Sequence, residues 1–247
     1  MRKTKIMMGM PITIQIEDCD DTHLFNDVFN YLKNIDRVFS TYKKSSVISK
    51  INDGLKQKYW PAEVRKIFSL AEKTKKETNG FFDIKHNGYI DPSGIVKGYA
   101  IYQGSKLIKN AGYKNYFVDG SGDIQAMGGA KQNKYKYWLV GVRNPFEINS
   151  IVKNFKLRNK GIATSGSYIR GDHIYSPKTN DLIQEIVSLT VIASNVYEAD
   201  RFATAAFAMG KNGINFIESK RSLEGYMIDQ NKISTLTSGL GKYEVNQ

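Results

Sequence analysis

Apolar positions recur along this chain with two distinct periods, and the switches between them outline its elements. Ile12-Thr-Ile-Gln-Ile16 alternates strictly, which predicts a strand with one buried face. Leu24, Val28, Leu32, Ile35 and Phe39 then keep a 3.6-residue period behind Asp21 and Thr22, two residues suited to cap a helix. A second helix opens at Pro61, buries Val64, Ile67, Phe68 and Ala71, and stops at Asn79-Gly80. A third is predicted from Lys97 to Asn110, ending at Gly112, with the strand Tyr116-Phe-Val-Asp119 directly behind it.

Strands dominate the second half. The β-branched and aromatic runs Tyr135–Val142, Ile151–Leu157, Gly161–Thr164 and Ile186–Ile192 are bounded by turn residues, so the sheet has to be assembled from distant pieces of chain. A helix follows over Val196–Met209, capped by Asn195 with Glu198 three residues on. A short helix, Ile214–Ser219, precedes a closing hairpin of Tyr226–Asp229 with Ile233–Leu236. No repeat, low-complexity tract or linker divides the sequence. These elements predict an α+β fold of mixed α/β content, with helices packed on mixed sheets in a single domain spanning 1–247 and two lobes around a cleft.

Composition narrows the class. The 247 residues, 41% hydrophobic and 12% aromatic, suffice for a sizeable core, which excludes a disulfide-stapled miniprotein and a disordered chain. Thirty-six Lys and Arg against 24 Asp and Glu give +12, which directs attention to a polyanion, an anionic membrane surface or a phosphorylated ligand. No recognition helix, RNA-binding signature or zinc spacing supports the nucleic-acid option. Cys19 stands alone, so no intramolecular disulfide is expected. The segment from Met1 to Pro11 carries Arg2, Lys3 and Lys5 but no apolar run of signal-peptide length, and no window approaches the roughly 18 apolar residues of a membrane span. The chain as it stands is expected in the cytoplasm, or outside it if a leader has been removed.

Small and charged residues cluster in four places. Asp91-Pro-Ser-Gly-Ile-Val-Lys-Gly-Tyr-Ala100 puts glycines and Lys97 at a predicted helix start, where free N–H groups favour an anion; taken alone, the same residues read more simply as a helix terminus with a solvated lysine. Its spacing is not that of a P-loop. Val118-Asp-Gly-Ser-Gly-Asp-Ile124 leaves a strand through a turn flanked by two carboxylates, and Ala163-Thr-Ser-Gly166 ends another strand with Tyr168, Arg170 and His173 close behind. His23 falls on the exposed side of the first helix and His86 in a polar loop, which leaves His173 the best placed of three histidines for acid-base work. Asp200 and Thr204 share one face of a helix otherwise built of Ala and Phe, where an unpartnered carboxylate costs several kcal/mol. Either a cation with hard oxygen ligands, such as Mg²⁺, or a distant base has to neutralise Asp200.

In this order, Met8-Gly-Met10, Phe39-Ser-Thr-Tyr42, Ser45-Ser-Val-Ile-Ser-Lys-Ile-Asn52, Gly80-Phe-Phe-Asp83, Asp91 through Gly98, Gly122-Asp-Ile124, Trp138-Leu-Val-Gly141, Ala163-Thr-Ser-Gly166, His173-Ile174 and Ala199-Asp200 with Thr204 closely resemble the ApbE family, the FAD:protein FMN transferases. The resemblance is collinear from Met8 to about Gly210 and implies the ApbE-like fold, with FAD in the cleft between lobes. It implies a Mg²⁺-dependent enzyme that cleaves the FAD pyrophosphate, attaches FMN to a Thr or Ser hydroxyl of an acceptor protein through a phosphoester, and releases AMP. A Mg²⁺-dependent FAD pyrophosphatase and a non-catalytic flavin-binding protein are the alternatives.

Carried over by residue, the resemblance makes Asp200, Thr204 and the main-chain oxygen of Val96 metal ligands. It places Met8, Tyr42, Ser45, Ser46, Lys97, Gly122, Asp123 and Thr164 at the FAD site and makes His173 the base for the acceptor hydroxyl. The chain departs from the family pattern twice. Ser176 and Asn180 stand where the family has Asp and Gly in His-x-x-Asp-Pro-x-Thr-Gly, and the connection after Asp83 lacks a customary helical insertion.

Overall fold

A computed structural model describes residues 1–147, 149–167 and 175–245. Its centre is an eight-stranded sheet built from β1 (Arg2–Met7), β2 (Met10–Ile16), β5 (Tyr116–Gly120), β6 (Asp123–Met127), β9 (Lys160–Gly166), β10 (Ile186–Ala193), β11 (Glu224–Asp229) and β12 (Ser234–Leu236), in that spatial order. Two hairpins stand apart from it: β3 (Lys85–His86) with β4 (Tyr89–Ile90), and β7 (Trp138–Arg143) with β8 (Ile151–Leu157). The α+β class holds, but every ladder among the described residues is antiparallel, so the sheets are not mixed in direction.

Helices α1 (Thr22–Phe39), α2 (Val47–Asn52), α3 (Ala62–Glu77), α4 (Ser93–Asn110), α5 (Val196–Phe207) and α6 (Gly213–Glu218) complete the chain. Alternation in β2 sends Ile12, Ile14 and Ile16 into a core shared with Phe25, Val28 and Leu32 of α1 and Ile101 of α4. Farther along the sheet, Leu189, Val191 and Met227 meet Phe202 and Phe207 of α5 and Ile214 of α6. The opposite face is covered by the β7–β8 hairpin, whose Trp138, Val140, Phe155 and Leu157 pack with Ile162, Ile192 and Tyr226. The sheet therefore has a helical side and a hairpin side, and Asp21 and Asn195 cap α1 and α5 as their sequence predicts.

Four elements escape the hydrophobic pattern. β1 is a half-exposed edge strand, β6 begins on a charged residue, α2 has only six residues, and the β3–β4 hairpin replaces the expected polar loop. His86 accordingly sits at the end of β3, its ring 3.6 Å from that of Tyr175. Helix α4 also starts at Ser93, four residues before the expected Lys97, because Asp91 accepts a hydrogen bond from the Ser93 N–H at 2.8 Å and nucleates the turn earlier. No helix among the described residues is long and apolar enough to cross a membrane.

Candidate active site

Helices α4 and α5 lie in contact on the helical side of the sheet, and glycine sets their separation. A Cβ on Gly98 would fall 2.6 Å from Cβ of Asp200, and one on Gly94 would fall 2.9 Å from Cγ2 of Thr204. No real Cβ tolerates such distances, so these two positions must stay bare for α5 to come this close. The approach lets α5 reach the main chain of α4. The Gly98 N–H donates to Asp200 Oδ2 at 2.7 Å, and the Thr204 hydroxyl donates to the Gly94 carbonyl at 3.4 Å. Gly94 and Gly98 are the acceptor and donor of a single helical turn, and both are engaged by polar side chains of α5, Thr204 and Asp200.

The sheet adds a third polar group. Asp123 begins β6 with its side chain toward the helices, 2% exposed, and Lys97 Nζ lies 2.7 Å from its Oδ2. That contact is an ion pair that compensates a buried carboxylate oxygen. Oδ1 accepts from the Thr164 N–H at 3.3 Å. Asp200 is 4% exposed, and burial, followed by the facing Asp123 carboxylate, holds its pKa far above the carboxylate range; Lys97 and the Gly98 N–H oppose the shift without reversing it. Two desolvated carboxylates thus share one lysine.

This donor set fits a hard divalent cation. Among the described residues no three His, Cys, Asp or Glu side chains converge as a metal cluster. What converges instead is oxygen of several kinds: the carboxylates of Asp200 and Asp123, the Thr204 hydroxyl and the Gly94 carbonyl. The like-charge pair of buried carboxylates, compensated by a single lysine, is the feature that a hard divalent cation such as Mg²⁺ would relieve. The carbonyl brought to Thr204 is that of Gly94, two residues before the expected Val96.

Of the remaining candidates, Met8, Gly122 and Thr164 lie toward one end of the sheet. Met8 occupies the β1–β2 turn at φ +54° and Gly122 the β5–β6 turn at φ +101°, its N–H donating to Asp119 Oδ1 at 2.7 Å. Thr164, on the hairpin side of β9, shares a 2.8 Å hydroxyl contact with Thr190. In the α1–α2 loop Tyr42 is 94% exposed and Ser45 is exposed, whereas Ser46 is fully buried as the cap of α2, its Oγ accepting from the Ser49 N–H at 3.0 Å. Lys97 projects from the second turn of α4 rather than its first. His173 lies outside the described residues. Asn180 takes φ +61°, a left-handed conformation that asparagine tolerates, so the turn keeps its shape where the family pattern has glycine.

On the hairpin side, a cleft of about 670 Å³ runs between β7 and the strands β2 and β5, ending at Ser121, Gly122 and Thr164. It is within the size range of small-molecule and peptide sites. Sequence patterning gives no hint of it, because its walls come from seven separate strands.

Comparison with known proteins accounts for the arrangement. A model described as "ApbE family" matches residues 8–88 and 84–227. An FAD:protein FMN transferase of Haemophilus influenzae is 30% identical over 151 residues, 57% of this chain and 43% of that relative, so the match spans less than half of the relative's length. The crystal structure of an ApbE protein from Thermotoga maritima superposes with a TM-score of 0.87 at 20% identity, covering 100% of this chain and 99% of that one. The flavin transferase ApbE from Vibrio cholerae gives 0.85 at 20% identity, with 98% of each chain covered. The fold is shared throughout, and with the family model extending over residues 8 to 227 the chain belongs to the ApbE family.

Proposed function

We propose that this protein is an FAD:protein FMN transferase that moves FMN from FAD to a Thr or Ser hydroxyl of an acceptor protein. The buried Asp123–Asp200 pair carries the reading, since two facing carboxylates that share a single lysine are costly unless they serve to hold a cation. Asp200, Thr204 and the Gly94 carbonyl would hold Mg²⁺, with Asp123 completing the donor set. When bound, the ion supplies charge neutralisation at the pyrophosphate oxygens.

The chain's own groups supply the rest. The acceptor oxygen forms a bond to the phosphorus on the FMN side, the bond to the bridging oxygen breaks, and AMP leaves with that electron pair. His173 takes the hydroxyl proton. Lys97, held by Asp123, places a positive charge beside the phosphates, and the exposed Tyr42 ring offers a stacking face for the flavin or adenine. The relatives' names supply the reaction, and the described geometry supplies oxygen donors, a cation and a cleft suited to it.

Incubation with FAD, Mg²⁺ and a synthetic peptide containing Asp-Gly-Ser-Thr tests the reading. The peptide should gain the mass of FMN with one AMP released per modification. Free FMN and AMP in equal yield with and without peptide would mark a pyrophosphatase instead. His173→Ala should leave FAD affinity intact and slow transfer by about 10²–10⁴, the usual contribution of one general base.

A further inference from the structure

The β7–β8 hairpin has two outer edges, and they are treated differently. Beyond β8 lies the C-terminal segment: Phe155 forms a bridge with Glu244, and the Val245 N–H donates to the Asn154 carbonyl at 3.3 Å. Beyond β7 no strand pairs among the described residues. All six residues of β7, from Trp138 to Arg143, line the cleft; Trp138, Val140 and Val142 turn inward to the core, whereas Leu139, Gly141 and Arg143 are exposed beside the unpaired main chain of the edge. A six-residue open edge about 20 Å long is a template for another strand, and proteins normally cover such edges.

The cleft selects what can lie there. Its charged lining residues are Arg2 and Arg143 against Asp119, and the Asp119 carboxylate already accepts the Gly122 N–H. On the outward face, Leu139 and Ile151 are each 52% exposed, and Ile151 methyl carbons sit 3.1 Å from where Gly141 would carry a Cβ, leaving a small apolar shelf beside the edge. Unpaired main chain, an apolar shelf and two guanidinium groups suit an extended, acidic peptide segment. The lining includes Ser121 and Gly122, the turn immediately before Asp123, whose side chain lies on the opposite, helical face of the sheet, so a segment leaving the cleft there has to pass over the β5–β6 turn to reach the carboxylate pair.

Resting on the flavin-transfer reading, we propose that the acceptor protein docks by adding an extended acidic segment as a third strand on the open edge of β7, which brings it toward the β5–β6 turn that leads to Asp123. The test uses the wild-type protein and the Asp-Gly-Ser-Thr peptide in two versions, N-methylated at one or the other alternate set of amides. Strand addition predicts that one version binds about tenfold or more weakly, having lost two or three main-chain hydrogen bonds, while the other binds like the parent. Amide exchange at Leu139, Gly141 or Arg143 should slow when the parent peptide is added. Equal binding of both versions, or protection confined to other strands, overturns the proposal. As a second variant, Leu139→Glu should raise KM for the peptide by about tenfold through like charge and lost apolar contact while FAD affinity stays unchanged. Unchanged KM sinks the docking strand. Binding and exchange are read without turnover, so a protein that binds peptide on β7 but transfers no FMN refutes the flavin-transfer reading and leaves the docking strand standing.

Discussion

Asp200 and Arg201 are neighbours on α5, equally buried at 4% exposure, yet their surroundings are opposite. Arg201 donates to Glu77 and Glu198, reaches the Thr74 hydroxyl at 3.3 Å and lies 4.0 Å over the Phe202 ring, so its charge is matched on every side and it ties α3 to α5. Asp200 faces another carboxylate and shares one lysine with it. A helix turns by about 100° per residue, which puts one charge on a satisfied seam and the other on a strained one. A fully compensated buried charge reads as architecture; an under-compensated one is where a ligand has been left room.

The largest test of that contrast is Arg201→Ala. It strands Glu77 and Glu198 beside a cavity and should lower unfolding free energy by about 3–5 kcal/mol, measured by urea denaturation. A loss under about 1 kcal/mol, the scale of an exposed pair, would remove the seam. Next is Gly98→Ala, whose methyl enters Cβ of Asp200 and should cost about 1–3 kcal/mol by overpacking, together with Mg²⁺ affinity in calorimetry. Asp200→Asn should behave in the opposite sense. The raised pKa means the folded chain holds this proton more tightly than the unfolded one, so the group's contribution is full below about pH 4 and is lost as pH rises through the raised value. Metal-free wild type should therefore lose stability with rising pH more steeply than Asp200→Asn, and Mg²⁺ should restore only the wild type. Parallel pH profiles would contradict the frustrated pair. The smallest effect belongs to Tyr42→Ala, which should change stability by under about 0.5 kcal/mol while weakening FAD binding, because the ring is almost wholly in solvent.

What the sequence revealed follows the same division. Helices α1 and α3 were legible to within a residue or two because their apolar stripes and caps are local signals. Strand β1 was not, since Arg2, Lys3 and Lys5 break its alternation and neither of its faces is buried. Within the site, Asp200 and Thr204 stood out as polar groups on an apolar helix, a contradiction visible in one dimension. The Lys97–Asp123 pair joins residues on different elements, and the Gly94 carbonyl is a main-chain group that no residue type announces. The open edge of β7 was equally hidden, because pairing is a property of neighbours rather than of the strand.

The plugging of Asp200 and Thr204 into one turn of α4 has a kinetic consequence. That turn cannot fray alone: releasing it withdraws α5 from the glycine seam and exposes the core behind both helices. The centre of the site should then belong to the slowest-exchanging cooperative unit of the molecule, with the Gly98 amide exchanging only through global unfolding. The turns at Met8 and Gly122 and the loop bearing Tyr42 lie outside that interlock, so on the flavin-transfer reading the protein would divide its labour between a rigid anvil and separate jaws.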